Sequence, residues 1–111
     1  MERKTILAVD IGGTKYSVGL VSENGVIISK QKYTWWHISE ESIIAEICTA
    51  MQNILDENPR IVVTAVGITI TGLTDSVTGS WVSATYMGVY GLPIGKRIRE
   101  KFGFPVYVEN E

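Results

Sequence analysis

The sequence predicts an α/β domain built on one mixed sheet, with elements in the order βββαβ(α)β and the helices packed on that sheet. Three observations carry this reading. ILAVDIGGTKYSVGLV at residues 6–21 is two apolar runs joined by paired glycines, the signature of a tight hairpin whose turn takes positive φ angles. Ile43, Ile44, Ile47, Met51, Ile54 and Leu55 recur at three- and four-residue spacing, as the buried face of an amphipathic helix does. IVVTAVGITI at residues 61–70 is β-branched and nearly all apolar, the pattern of a central strand buried on both faces. A helix leading into such a strand implies a parallel return to the sheet.

Between these anchors the chain reads in order. Glu23-Asn24-Gly25 is a turn, with Asn-Gly suited to two central residues of positive φ, and it opens a third strand over residues 26–33. Trp35, Trp36 and His37 follow as a loop whose aromatics cover the sheet edge; His37 has no ligand-spaced Cys or carboxylate beside it. Ser39 and Ser42 form a capping pattern, and Glu40 and Glu41 suit the positive end of the helix dipole. Asp56-Glu57-Asn58-Pro59 stops the helix, because proline disfavours helical geometry in the residue before it. Residues 71–75 read as a Gly loop beyond a strand's carboxyl end, residues 80–82 as a short strand, and residues 86–90 as an exposed aromatic loop. Pro93 opens a short helix as a first-turn residue. Ile94, Ile98 and Phe102 form its buried stripe, Lys96, Arg97, Arg99 and Lys101 its solvated face, and Gly103 its C-cap. The last strand runs over residues 104–108, leaving Glu109, Asn110 and Glu111 at its carboxyl end.

Composition narrows the function. The 111 residues allow one domain with a real core, and 45% apolar with 20% charged residues is ordinary for a globular domain. A formal net charge of −2 gives no electrostatic case for nucleic acid or an anionic membrane. The single cysteine, Cys48, has no internal disulfide partner and reads as a helix-packing residue. No signal peptide follows Met1, and no apolar run approaches the ~20 residues of a membrane span. A cytoplasmic location is expected.

The chemistry concentrates at three strand ends. A Gly-Gly hairpin alone is more often structural. Here Asp10 precedes the glycines, and Thr14 and Lys15 follow them. Glycines without Cβ let a polyanion approach backbone N–H groups, while a carboxylate beside them can hold Mg²⁺. In open α/β sheets ligands lie beyond the carboxyl ends of strands. Residues 10–15, 71–75 and 109–111 are therefore expected to converge on one cleft. That set suits phosphoryl transfer from a nucleotide to a hydroxyl, with a carboxylate taking the hydroxyl proton.

These stretches carry a resemblance. DIGGTK at residues 10–15 resembles the first phosphate motif of actin-like sugar kinases, specifically the ROK family (repressors, open reading frames, kinases). GITITGLTD at residues 67–75 is similar to that family's second strand and Gly loop, and VYVENE at residues 106–111 to its VENDA motif. The resemblance runs along the whole chain but only part of the family's length. It implies half of an actin-like (ribonuclease H-like) ATPase fold, residues 1–111 being the N-terminal lobe of a sugar kinase and inactive alone. It implies ATP and Mg²⁺, with Asp10 on the metal, directly or through water, and Gly12, Gly13, Thr14 and Lys15 on the nucleotide phosphates. It implies Gly72, Asn110 and Glu111 on the sugar, with Glu111 in the place of the activating base. Asp10 and Glu111 are then the catalytic pair.

The sequence also departs from the family's pattern. Glu111 stands where the base is usually Asp, adding a methylene at similar intrinsic pKa. Tyr86 stands where a sugar-contacting Asn is common, and Thr71-Gly72-Leu73 where Pro-Gly-Pro is common. The family's second phosphate motif, adenosine pocket and zinc site lie downstream of the stretches matched here. Its repressors carry a DNA-reading helix-turn-helix ahead of the first strand, a segment not expected here with Met1 directly before that strand. Family members often dimerise through downstream elements, so a homodimer is implied only for the complete protein. Two other classes stay open. One is a non-catalytic sugar sensor, motivated by Glu111 and Tyr86. The other is an interaction module using Trp35, Trp36, Tyr86 and Tyr90, since exposed aromatics mark interfaces.

Overall fold

A computed structural model describes residues 4–36, 38–84 and 87–111, so the readings placed on His37 and Tyr86 lie outside the described residues. The elements are β1 (Thr5–Ile11), β2 (Lys15–Ser22), β3 (Ile27–Thr34), α1 (Glu40–Glu57), β4 (Val63–Ile70), β5 (Leu73–Asp75), β6 (Ser80–Ser83), α2 (Ile94–Phe102) and β7 (Val106–Asn110). Five strands form one sheet in the order β3-β2-β1-β4-β7. β1 is antiparallel to β2 and parallel to β4, and β4 is parallel to β7. The mixed α/β architecture expected from the sequence is the one observed.

Alternation along the strands sorts the two faces of the sheet. Leu7, Val9 and Ile11 of β1, Val18 and Leu20 of β2, and Val66, Ile68 and Ile70 of β4 are buried in one core with Ile43, Ile47, Met51 and Ile54 of α1 and Ile94 and Ile98 of α2. The opposite face is uncovered among the described residues. There Asp10 and Thr69 are exposed, and Ala65 and Gly67 are half-buried. This corrects the expectation that β4 is buried on both faces. Its β-branched run hid an alternation in which threonine, alanine and glycine mark the open side.

Several local signals act as read, and others do not. Ser39 and Ser42 close a full capping box, the Ser39 side chain accepting from the Ser42 amide. Gly103 ends α2 in the left-handed region with φ 81°, its N–H donating to the Arg99 carbonyl. Pro93 is the N-cap of α2 rather than its first helical residue. Between β2 and β3 the Ser22 N–H donates to the Val26 carbonyl, leaving a three-residue loop, 23–25, in which Gly25 alone has positive φ (81°) and donates its N–H to the Ser22 carbonyl. That is the type I turn with a following glycine bulge, not a two-residue loop. Neither Gly12 nor Gly13 has positive φ, which corrects the reading of the turn between β1 and β2 as one that takes positive φ angles.

The described residues between 71 and 92 are more regularly paired than expected. Leu73–Asp75 pairs antiparallel with β6, and isolated bridges join Trp81 to Leu92 and Ala84 to Val89. Met87 and Val89 are buried, which corrects the reading of this stretch as an exposed aromatic loop; of its described aromatics only Tyr90 is exposed. Cys48 packs in the buried face of α1, where burial pushes its thiol pKa up against the opposing pull of Lys101 and Arg97. No helix among the described residues is long and apolar enough to cross a membrane.

α2 docks through a glycine pair. The Gly95 amide donates to the Gly79 carbonyl at 2.9 Å, and a Cβ on Gly95 would stand 2.9 Å from that same oxygen. Helix propensity alone favours alanine over glycine by about 1 kcal/mol, whereas the contact has no room for a methyl group. Gly95→Ala is expected to lower the thermal midpoint; an unchanged or raised midpoint would show that the turn at Gly79 yields.

Candidate active site

The site grows from register. Ile11, Ile70 and Asn110 stand side by side at the carboxyl edge, and one step back Asp10, Thr69 and Glu109 form a row on the open face. On the other side of β1 that row continues through Ser17 of β2 to Lys32 of β3. Five strands thus place Lys32, Ser17, Asp10, Thr69 and Glu109 across the sheet. The hairpin 12–15 stands at this same edge, because β1 must turn into β2 where its parallel neighbours end.

Asp10 is held by its neighbour in the row. The Thr69 hydroxyl donates to Asp10 Oδ1 at 2.9 Å. This fixes one carboxylate oxygen and leaves the second for a ligand. Beside it lies a hollow of about 240 Å³ lined by Asp10, Gly12, Lys15, Ser17, Lys32 and Glu111 among others. Two carboxylates and three lysines, Lys15, Lys30 and Lys32, therefore face one space, a charge pattern suited to a polyanion accompanied by a cation.

The hairpin presents its groups unequally. The Gly12 amide is consumed within the turn, donating to the Lys15 carbonyl at 2.9 Å. A Cβ on Gly12 would stand 3.0 Å from that oxygen, so the glycine keeps the turn closed. The Gly13 and Thr14 amides make no such bond among the described residues and are the donors left for an anion. At the far strand end the Asn110 side-chain amide donates to the Gly72 carbonyl, and the Glu111 amide donates to the Ile70 carbonyl at 2.9 Å. Gly72 has φ 99°, and a Cβ there would lie 2.6 Å from the Ser83 carbonyl oxygen. Only glycine fits this loop.

The structure brings Asp10, Gly12, Lys15 and Glu111 to one hollow and joins Gly72 to Asn110 beside it. Sequence reasoning missed Thr69, Ser17 and Lys32. A period-two reading of residues 61–70 would have put Thr69 on the face of Asp10. Trp35 was read as part of an edge-covering loop and as an exposed interaction residue. It is buried, stacked on Tyr16 at 4.2 Å between ring centroids, and its indole N–H donates to the Gly12 carbonyl at 3.0 Å. Trp36 and Tyr90 do remain exposed.

With this geometry in hand, comparison with known proteins places the chain. The model of the ROK family matches residues 6–111. The chain belongs to the ROK family. A glucokinase of Thermotoga maritima is 30% identical over 115 aligned positions that cover all of this chain and 35% of the relative. The structure of a ROK family glucokinase from Streptomyces griseus, in complex with glucose and AMPPNP, is 32% identical with a TM-score of 0.85, over 96% of this chain and 33% of that one. A ROK family transcriptional regulator, a homolog of the E. coli MLC protein, shares the fold at TM-score 0.90 and 22% identity, over 96% of this chain and 28% of its own. The chain thus spans about a third of the length of the curated relatives it matches. The actin-like kinase fold expected from the resemblance is shared with these ROK neighbours.

Tyr16 ties the hairpin to α1. Burial first, and then the charge of Glu46, push its pKa up to about 12, while its hydroxyl donates to Glu46 at 3.4 Å. An unfolded tyrosine titrates near 10, so the folded chain holds this proton more tightly. The resulting stability is present below pH ~10 and is lost as pH rises toward 12. The thermal midpoint of the native protein is expected to fall more steeply over that window than that of Tyr16→Phe; parallel profiles would disprove the coupling.

Proposed function

We propose that this chain is the N-terminal lobe of a ROK sugar kinase, and that the complete protein transfers the γ-phosphoryl group of ATP to a sugar hydroxyl. The observation that carries this reading is the meeting of Asp10, Lys15 and Glu111 at one hollow beside the phosphate hairpin. The relatives named glucokinase support a hexose as acceptor, with fructose and N-acetylhexosamines in the same substrate class. A cytoplasmic location accords with ATP as the donor.

The residues take these roles. Gly13 and Thr14 offer amides and Lys15 its ammonium group to the phosphates, while Gly12 closes the turn. A single carboxylate with one oxygen occupied fits Mg²⁺, which takes one or two protein carboxylates and otherwise phosphate oxygens and water. Asp10 would hold it, directly or through water, and when bound it neutralises charge on the polyphosphate. Asn110 spends its amide N–H on Gly72, leaving Oδ1 to accept from a sugar hydroxyl. Glu111 takes the proton of the attacking hydroxyl as that oxygen bonds to the γ-phosphorus, and the bond to the ADP oxygen breaks.

The test is a panel of hexoses with MgATP and the complete protein. Turnover of at least one sugar is expected, falling about 10²-fold or more in Asp10→Asn and in Glu111→Gln. A second reading, a sugar-sensing regulator, draws on the shared fold of the ROK regulator and on Glu111 at the base position. Sugar binding without phosphorylation, unchanged by Glu111→Gln, would establish that reading and displace the kinase.

A further inference from the structure

Beyond the residues that meet the hollow, we infer that Trp35 is a positioning residue that sets the direction of the phosphate-binding amides. This rests on the nucleotide reading above. Trp35 makes two bonds to the hairpin 23 and 21 positions earlier in the chain. Its indole N–H donates to the Gly12 carbonyl at 3.0 Å, and its backbone N–H donates to the Thr14 carbonyl at 3.2 Å. A trans peptide is planar, with its C=O and the next N–H pointing in opposite directions. Holding the Gly12 carbonyl therefore aims the Gly13 N–H away from Trp35. Holding the Thr14 carbonyl fixes the peptide plane that follows, so the Gly13–Thr14 peptide, which carries the second amide, is held on both sides. Two anchors on one buried residue thus orient two peptide planes of an otherwise exposed turn.

Trp35 is rigid enough for this task. It is 8% exposed and stacks on Tyr16, which stacks in turn on Tyr33 at 5.1 Å. Glu46 of α1 accepts from the Tyr16 hydroxyl and, at 3.1 Å, from the amide of Trp36. The indole is thereby referred to the sheet and to α1, rather than to the turn it holds. A donor of this kind lowers the reorganisation that an anion would otherwise impose on a glycine turn.

The test removes the indole N–H and keeps the ring. Replacing Trp35 by 3-benzothienylalanine puts sulfur in place of the N–H; Trp35→Phe also removes the N–H, with a smaller ring. In the complete protein, calorimetry with AMPPNP and Mg²⁺ is expected to show the Kd rising about fivefold to tenfold in both variants, the size of one lost hydrogen bond. Glucose affinity and the thermal midpoint of the benzothienyl variant are expected to stay unchanged. AMPPNP affinity that does not move, or a loss shared equally with glucose affinity, would overturn the positioning role alone. Native protein that binds no AMPPNP would remove the nucleotide reading itself, and this role with it.

Discussion

Everything at the carboxyl edge depends on the mixed pairing of β1. One side of the strand pairs antiparallel with β2 and the other pairs parallel with β4. The antiparallel partner requires a turn at the carboxyl end of β1, and the parallel partners must end at that same edge. Phosphate-sized chemistry is thus gathered by topology before any side chain is considered. Parity does the rest. Leu7, Val9 and Ile11 are at most 2% exposed, so Asp10 between them must face the open side. A slip of one residue would drive the carboxylate into the core and three apolar side chains out of it. The hydrophobic core therefore specifies where the acid points.

The hairpin is held by a different kind of force. Its glycines supply little side-chain packing, and the Gly12 amide closes the turn upon itself. Order comes from the far end of β3, through the aromatic stack of Tyr33, Tyr16 and Trp35. Stacked aromatics contribute beyond their buried area, and here they lie on the helix side of the sheet while the hollow lies at its edge. Apolar packing on one side of the backbone thus fixes polar geometry on the other. Glu46 extends this link into α1, whose own start is fixed by the Ser39–Ser42 box.

Much of this was legible in the sequence, for physical reasons. The α1 face, the Ser39 cap, the Gly103 cap and the β1–β2 pair follow from local periodicity and local hydrogen bonding, and the structure has each of them. Asp10, Lys15 and Glu111 could be picked out by residue type and position after a strand, and they line one hollow. Thr69 was not, since a threonine in a β-branched run is indistinguishable from strand propensity until its parity is assigned. Trp35 was misread because its role depends on contacts across 21 to 23 residues, and no spacing rule reports those. The 71–92 stretch was misread for a related reason: buried Met87 and Val89 pack without any regular element to give them a period.

On the proposed reading, two of the departures from the ROK pattern, at Glu111 and around Gly72, meet at one contact. Glu111 is carried on a backbone pinned by its own amide to the Ile70 carbonyl, and Asn110 beside it is bonded to the Gly72 carbonyl. The strand end therefore cannot withdraw to accommodate a longer acid. The added methylene has to be absorbed by the Glu111 rotamer or by the loop that faces it. That loop carries Thr71 and Leu73 in place of prolines that would fix φ on both sides of Gly72. Losing two rigid residues next to the point where the acid gains reach is a mechanically consistent pair of changes. On this reading a base of greater reach would be matched by a loop in which Thr71, unlike proline, donates its N–H to the Ile11 carbonyl at 3.1 Å.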